Sequence, residues 1–98
     1  MTLHQTGWFW DPRKAEANIA KHGVSFELAT LVFEDPFQLN ETDDHSDGDR
    51  WQTIGVALGA MLFVVHTFIE PDLSFGRIIS ARRATSHEKR RYEKSLLS

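Results

Sequence analysis

The chain has 98 residues, of which 11 are Lys or Arg and 14 are Asp or Glu, so its formal net charge at pH 7 is −3. This length suits a single domain, residues 1–98, with a modest core. Because the sequence contains no cysteine, disulfides, thiolate metal sites and cysteine nucleophiles are excluded. The longest apolar run is far shorter than the roughly 20 residues that a membrane span needs, and no secretory signal is visible. We therefore expect a cytoplasmic protein without a membrane partner.

Charge is segregated along the chain. Residues 27–50 contain eight acidic side chains and the single basic residue Arg50, whereas residues 77–94 contain seven basic side chains and two acidic ones. Either run is compatible with a plain solvated surface. A basic end on an acidic chain indicates more specifically a polyanionic partner, and RNA or DNA is the obvious candidate.

The N-terminal part predicts a strand and a helix. The aromatic run at residues 8–10 is typical of a buried strand. Asp11 then supplies an N-cap side chain and Pro12 suits the first helical position, which predicts a helix over residues 12–22. Gly23 ends this helix, because glycine takes the left-handed conformation that a C-cap needs.

A second helix is predicted directly afterwards. Ser25 is its N-cap, and apolar residues at helical spacing continue to about residue 34. Asp35 and Pro36 stop it. From residue 37 the apolar period changes to two, which is typical of strands.

The remainder predicts an antiparallel meander and a last helix. Thr85 and Glu88 match a capping box, which starts a helix running to about residue 96. The expected fold class is α+β, in which two N-terminal helices and one C-terminal helix pack around an antiparallel sheet. The predicted strands of this sheet are residues 37–41, 52–58, 61–69 and 75–83.

The acidic segment at residues 43–49 does not fit a calcium loop. An EF-hand loop starting at Asp43 would place Ile54 at the twelfth position, where a bidentate Glu is needed. We expect this segment to stay in solvent or to contact a protein partner, because its charge repels phosphate. The five histidines show no ligand spacing for a transition metal. The sequence therefore predicts no metal site and no cofactor.

The basic end contains the side chains that metal-free RNA cleavage needs. A base removes the 2′-hydroxyl proton, cations stabilise the pentacoordinate phosphorane, and an acid protonates the leaving 5′-oxygen. Arginine suits the second task, because its planar fork matches two phosphate oxygens.

Strand alternation ranks the arginines of the last strand. It places Ser80 and Arg82 on one face together with Ile78. Arg77 and Arg83 fall on the opposite face. Arg82 is therefore the first candidate for a phosphate clamp, and Arg77 or Arg83 is the alternative if a bulge shifts the register.

The final helix carries a basic stripe that is predicted to follow the RNA backbone. Glu88 has two interpretations: its capping role explains it without chemistry, or it transfers a proton. Tyr92 and Leu96 are spaced four residues apart, and both are interpreted as facing the core. The residues of the stripe are His87, Arg90, Arg91 and Lys94.

Two further histidines have different interpretations. His22 lies beside Lys21 in the last turn of a helix, where positive charge offsets the helix dipole. Its imidazole is also a candidate acid or base. His66 is surrounded in the sequence by apolar residues and is interpreted as a core histidine with satisfied hydrogen bonds.

Several strings of residues occur in a characteristic order through nearly the whole chain. They are Phe9-Trp10-Asp11, Lys14, Asn18, Lys21-His22-Gly23-Val24-Ser25-Phe26-Glu27, Val32-Phe33, Asp35-Pro36, His45-Ser46-Asp47-Gly48, Arg50, Ile54-Gly55, Arg77-Ile78-Ile79-Ser80-Ala81-Arg82, Ala84-Thr85, Glu88 and Tyr92. Together they resemble the BrnT family of type II toxin–antitoxin ribonucleases, which have a RelE-like fold.

The resemblance implies a ribosome-independent endoribonuclease that slows translation. It also implies a BrnA-type antitoxin, whose ribbon-helix-helix domain binds operator DNA, so that the toxin reaches DNA only through its partner. The residues at the family's motif positions are Lys21, His22, Arg50, Arg77, Ser80, Arg82 and Glu88.

The residues and the resemblance lead to one hypothesis and one alternative. The hypothesis is RNA cleavage without metal, in which Arg82 and either Arg50 or Arg77 hold phosphate and either His22 or Glu88 moves protons. The alternative is a nucleic-acid-binding or protein-binding module without catalysis. Because the chain is net acidic, we expect its RNA affinity to be modest and to fall with salt.

Overall fold

The computed structural model describes residues 2–3, 7–43, 50–68 and 76–97. Within these ranges the chain forms, in order, β1 (Thr2–Leu3), β2 (Phe9–Trp10), α1 (Pro12–His22), α2 (Phe26–Thr30), a 3₁₀ helix (Leu31–Glu34), β3 (Leu39–Thr42), β4 (Arg50–Ala57), β5 (Ala60–Thr67), β6 (Ile78–Arg83) and α3 (Ser86–Ser95).

The main sheet is an antiparallel meander with the strand order β3-β4-β5-β6, and β1 pairs separately with β2. The predicted α+β class and the predicted meander are confirmed. The strand ends differ from the predictions by a few residues: β4 begins at Arg50, so this arginine is part of the sheet. The predicted strand ends at residues 69 and 75 and the acidic segment at residues 44–49 lie outside the described residues.

Local capping explains the first helix. The Asp11 carboxylate accepts a hydrogen bond from the backbone N–H of Arg13 at 2.9 Å, and Pro12 occupies the first helical position. Gly23 follows with φ of 70° and ends the helix in the left-handed conformation. The predicted bounds of this helix are confirmed.

The second helix is shorter than the sequence predicts. The Ser25 hydroxyl caps it at the backbone N–H of Leu28, 3.0 Å away, but the α-helix ends at Thr30 and tightens into the 3₁₀ helix. This tighter turn lies directly against β4. A Cβ atom on Gly55 would stand 2.9 Å from the Cβ of Val32, so only glycine allows this close approach.

Apolar side chains cover both faces of the sheet. Alternation along β5 sends Leu62 and Val64 to one face, which packs against β2, α2 and the 3₁₀ helix. It sends Phe63 and Val65 to the other face, which packs against α3 through Tyr92. These two sides of the sheet are called below the α2 face and the α3 face.

A side-chain amide fastens α1 to the edge strand β6. The amide nitrogen of Asn18 donates to the carbonyl oxygens of Ala81 at 2.7 Å and Val24 at 2.9 Å. Its amide oxygen accepts from the backbone N–H of Ala81 at 3.1 Å. The buried amide thus satisfies both the N–H and the carbonyl of Ala81 in the edge strand, and it also bonds the Val24 carbonyl in the loop after α1.

The turn between β4 and β5 has an unusual residue. Ala57 and Ala60 close a two-residue hairpin loop, in which Leu58 has φ of 47° and Gly59 has φ of 82°. Positive φ at both central residues is the conformation of a type I′ turn, which favours the sequence Asn-Gly. Leucine here costs about 1 kcal/mol, and its side chain is 85% exposed.

His66 is a buried, hydrogen-bonded core residue, as predicted. Its Nδ1 lies 3.0 Å from the carbonyl oxygen of Thr67, and its Nε2 lies 2.6 Å from the hydroxyl of Thr53. Because the carbonyl oxygen only accepts, the proton of the neutral ring is on Nδ1. Burial lowers the pKa of His66 to about 4, against a smaller opposing effect of the Thr67 carbonyl.

We expect stability to fall between pH 6.5 and pH 4 because of His66. Its folded-state pKa lies below its ordinary value of 6.5, so the unfolded chain binds the proton first. The contribution is fully present above pH 6.5 and is lost as the pH falls to about 4, amounting to about 3 kcal/mol. Urea unfolding across this range measures it. His66→Gln should remove this part of the pH dependence, and an unchanged dependence would contradict the assignment.

Candidate active site on the α3 face

Several predicted site residues lie on the α3 face. Every second residue of β5 from Phe63 to Thr67 points to this face. Their partners in the neighbouring strands include Arg82, Ser80 and Arg50. The sheet therefore places these three polar residues on the same side as α3.

A β-bulge changes one part of the predicted arrangement. The pairing of β5 with β6 shifts at Ile79, which is the extra residue. Ile78 and Ala81 consequently both point into the core of the α2 face. The prediction that Ile78 shares a face with Ser80 and Arg82 is wrong, because strict alternation takes no account of the bulge.

The Arg82 guanidinium is held by an ion pair, by a backbone carbonyl and by an aromatic ring. Its Nη1 and Nη2 donate to the two carboxylate oxygens of Glu88 at 2.8 and 2.9 Å, which is a bidentate ion pair. Nη1 also donates to the carbonyl oxygen of Arg83 at 3.2 Å. The Arg82 Cζ lies 4.2 Å from the ring centroid of Phe63, a distance at which a cation is attracted to an aromatic ring.

These contacts leave one edge of the Arg82 guanidinium without a partner among the described residues. The group has five N–H bonds. Glu88 accepts one from each Nη atom, and the Arg83 carbonyl accepts the second one of Nη1. The remaining donors are Nε–H and the second N–H of Nη2, which lie side by side and match two oxygens of one phosphate.

Glu88 has the predicted capping role and an additional one. Its carboxylate accepts from the backbone N–H of Thr85 at 2.9 Å, and the Thr85 hydroxyl accepts from the backbone N–H of Glu88 at 3.2 Å. Burial raises the pKa of Glu88, but hydrogen bonds from Arg82 and Thr85 outweigh it and hold the pKa below its ordinary value. Glu88 is therefore an anion at neutral pH with both oxygens engaged.

A second contact fixes α3 on the sheet. The Tyr92 hydroxyl donates to the Asp35 carboxylate at 2.7 Å, and burial and this carboxylate raise the pKa of Tyr92 to about 12. The same Asp35 oxygen accepts from the backbone N–H of Val56 at 2.9 Å. The interpretation of Tyr92 as core-facing is confirmed, since it is 6% exposed. The same interpretation is wrong for Leu96, which follows the last residue of α3 and is 47% exposed.

The predicted basic stripe is only partly available to a ligand. His87 and Arg90 are exposed on α3, and Lys94 is also exposed but already takes part in an interaction. Arg91 forms an ion pair with Glu41 of β3. Arg83 is exposed but pairs with Leu62, so it lies on the α2 face.

The other sequence candidates lie away from the Arg82–Glu88 pair. Arg77 bridges to Phe9 of β2 and lines a small pocket with Asp11 and Lys14. His22 is half-buried and Lys21 is exposed in the last turn of α1. Within the described ranges, no hydrogen bond or ion pair joins His22 to Arg82 or Glu88.

Three residues that shape the site are missing from the sequence candidates. Asn18 and Asp35 position α1 and α3, and Phe63 supports the Arg82 guanidinium. A sequence signal exists for Asn18, because asparagine is unfavourable inside a helix and here needs a tertiary reason. Phe63 and Asp35 give no comparable local signal.

The described part of the chain was compared with the requirements of a membrane-spanning helix and of a metal site. No helix there is both long and apolar enough to cross a membrane. The described side chains also include no group of three or more His, Cys, Asp or Glu residues arranged to hold a metal ion.

We expect Arg82 and Glu88 to stabilise the fold together. A double-mutant cycle with Arg82→Met and Glu88→Gln should give a coupling of about 1–2 kcal/mol in urea unfolding, because the pair is bidentate and the Glu88 side chain is only 11% exposed. Methionine retains an apolar stem over Phe63. The exposed Arg13–Asp11 pair, 3.8 Å apart, is the control and should show no measurable coupling. Zero coupling for both pairs would contradict the expectation.

Comparisons with known proteins identify the family. Residues 10–88 match the family described as ribonuclease toxin, BrnT, of type II toxin-antitoxin system. The fold is similar to the crystal structure of the Brucella abortus ribonuclease toxin BrnT, with a TM-score of 0.63, 28% sequence identity, and coverage of 80% of this chain and 95% of that one. A comparison with curated proteins found no match. Because the family match spans most of the chain, the protein belongs to the BrnT family of ribonuclease toxins of type II toxin–antitoxin systems.

Proposed function

We propose that this protein is a metal-independent endoribonuclease that cleaves RNA on the α3 face of its sheet. The observation that carries the proposal is the state of Arg82. Glu88 and the Arg83 carbonyl hold its guanidinium over the Phe63 ring, while one bidentate edge has no described partner. A preorganised cation stabilises the charge of a phosphorane without reorganising during the reaction.

Arg82 binds the scissile phosphate through its Nε–H and Nη2–H edge in this proposal. Ser80 projects from the same face of β6 and is half-buried, so its hydroxyl is available to orient the phosphate or the ribose. The 2′-hydroxyl oxygen attacks phosphorus, and the bond to the 5′-oxygen breaks. The products are a 2′,3′-cyclic phosphate and a 5′-hydroxyl end.

The geometry favours different roles for the two candidate proton carriers. Glu88 has a lowered pKa and both of its oxygens are engaged, which suits positioning Arg82 better than proton transfer. His22 is then the proposed acid or base. Asn18 lies one helical turn before His22 and bonds α1 to Ala81 of β6, whereas Arg82 projects on the α3 face. In this proposal the RNA strand therefore crosses the β6 edge of the sheet to reach both His22 and Arg82.

Other cations extend the proposed RNA path. Arg50 lies roughly 13 Å from Arg82 along the strand direction, counted as four residues of β5. It therefore serves a neighbouring phosphate instead of sharing that of Arg82. The exposed basic groups of α3, together with Lys21, Arg77 and Arg83, attract the RNA backbone in a salt-dependent way.

Family membership also supports a partner and a cellular effect. We propose a BrnA-type antitoxin with a ribbon-helix-helix domain, encoded beside the toxin, which neutralises it and binds operator DNA. The free toxin would inhibit translation in the cytoplasm by cleaving RNA. We propose that the Asp-rich segment at residues 43–49 does not bind RNA, because its charge repels phosphate.

Purified toxin without antitoxin should cleave single-stranded RNA at low salt in EDTA. Arg82→Met should reduce the single-turnover rate by ~100-fold, because it removes a preorganised phosphate ligand. Arg82→Lys should reduce it by ~10-fold, since an ammonium cannot grip Glu88 and two phosphate oxygens together. The readout is the rate of appearance of 2′,3′-cyclic phosphate ends.

The matched control is Arg13→Met, which removes an exposed arginine from α1 and should leave the rate unchanged. Equal cleavage by wild type and Arg82→Met would contradict the assigned site. RNA binding without cleavage by the wild type would favour the alternative function, a nucleic-acid-binding module.

His22→Gln should lower the cleavage rate by ~100-fold or more while RNA affinity stays within about twofold, because general acid–base catalysis contributes this much. One limb of the pH–rate profile should disappear in the variant. Glu88→Gln should keep both limbs of the profile. A retained profile in His22→Gln would remove this histidine from proton transfer.

A further inference from the structure

An apolar groove lies between the 3₁₀ helix and the β4–β5 turn. It has a volume of about 340 Å³. Two of its side chains, Leu58 and Val56, are 85% and 37% exposed. The groove is lined by Leu31, Glu34, Asp35, Val56, Ala57 and Leu58.

Leu58 is difficult to explain by folding alone. Its φ of 47° belongs to a conformation that favours asparagine or glycine, and its exposed side chain contributes nothing to the core. A residue that is both strained and exposed marks a contact surface better than a structural element. The adjoining exposed Val56 extends the apolar surface from the turn into the groove.

The charge around the groove selects the kind of ligand. Glu34 is exposed at its rim, and the charged side chains of the lining, Glu34 and Asp35, are both acidic. Phosphate is repelled by such a rim. A peptide segment with apolar side chains beside Lys or Arg complements both the groove and its rim.

We propose that this groove is the docking site of the antitoxin. A segment of the antitoxin places an apolar side chain against Leu31 and Leu58 and a basic side chain against Glu34. The proposal rests on the antitoxin pairing given under Proposed function and adds to it the place of contact. Leu58 and Glu34 form no described contact with Arg82 or with α3, so variants at these two groove residues separate docking from RNA cleavage.

The test compares Leu58→Asn with wild type. Dissociation constants are measured by calorimetry against the purified ribbon-helix-helix protein from the adjacent reading frame. Leu58→Asn should bind at least about tenfold more weakly, because it removes a central apolar anchor. It should also raise the melting temperature of the free toxin by about 4 °C, since asparagine suits the turn. Weaker binding by a more stable protein excludes misfolding as the cause.

Two further variants complete the design. Leu97→Asn is the matched control, because Leu97 is also an exposed leucine, 88% exposed near the end of α3, and its affinity should match that of wild type. Glu34→Lys tests the charged rim and should weaken binding by about tenfold. Cleavage of RNA by free Leu58→Asn should equal that of wild type.

Each result that contradicts the proposal identifies which part of it is wrong. Wild-type affinity in both Leu58→Asn and Glu34→Lys would overturn the docking site while leaving the antitoxin pairing intact. A wild-type toxin that cleaves RNA but does not bind the ribbon-helix-helix protein would overturn the pairing and the docking site together. If wild type alone sediments as a dimer that Leu58→Asn abolishes, with antitoxin binding unchanged, the occupant is a second copy of the chain and the proposal fails.

Discussion

The attachment of α1 to β6 by the Asn18 amide is the constraint on which the site depends. β6 is an edge strand, and Ala81 sits between Ser80 and Arg82 in it. By satisfying both backbone groups of Ala81, Asn18 stops further strand pairing at this point. The same bonds fix the register of α1, and therefore of His22 one turn later, against the strand that carries the phosphate-binding candidates.

Helix α3 has the corresponding task on the other side of the sheet. It is held near its start by the Glu88 pair with Arg82 and farther along by the Tyr92 bond to Asp35. Asp35 also accepts the backbone N–H of Val56, where β3 no longer covers β4. One carboxylate thus closes an open part of the sheet and anchors the helix that orients the guanidinium.

The features that the sequence predicts correctly are local. Asp11, Gly23 and the Thr85 capping box act within a few residues of themselves, and the period of two in the strands shows directly in the apolar pattern. The features that it misses depend on distant partners. The bulge at Ile79, the bond from Asn18 to Ala81 and the stacking of Arg82 on Phe63 join residues far apart in the chain, and no spacing rule predicts them. Alternation predicts Arg82 as the first candidate, but the guanidinium edge that has no described partner follows only from the side-chain contacts.

In an acidic chain that cleaves RNA, the groups that attract RNA from a distance have to differ from the groups that bind its phosphate at contact. The Arg82–Glu88 pair is electrically neutral as a unit, so it adds little to the long-range field that draws RNA in. In the proposed mechanism that field comes from the exposed cations of α3 together with Lys21, Arg77 and Arg83, and salt screens it over about 10 Å. At contact distance Arg82 contributes more than these exposed cations. The edge of its guanidinium that has no described partner presents two aligned donors, whose orientation Glu88 has already set. In the proposed mechanism Glu88 thus reduces the overall attraction of RNA but fixes the geometry of Arg82, and fixed geometry stabilises a transition state more than a ground state.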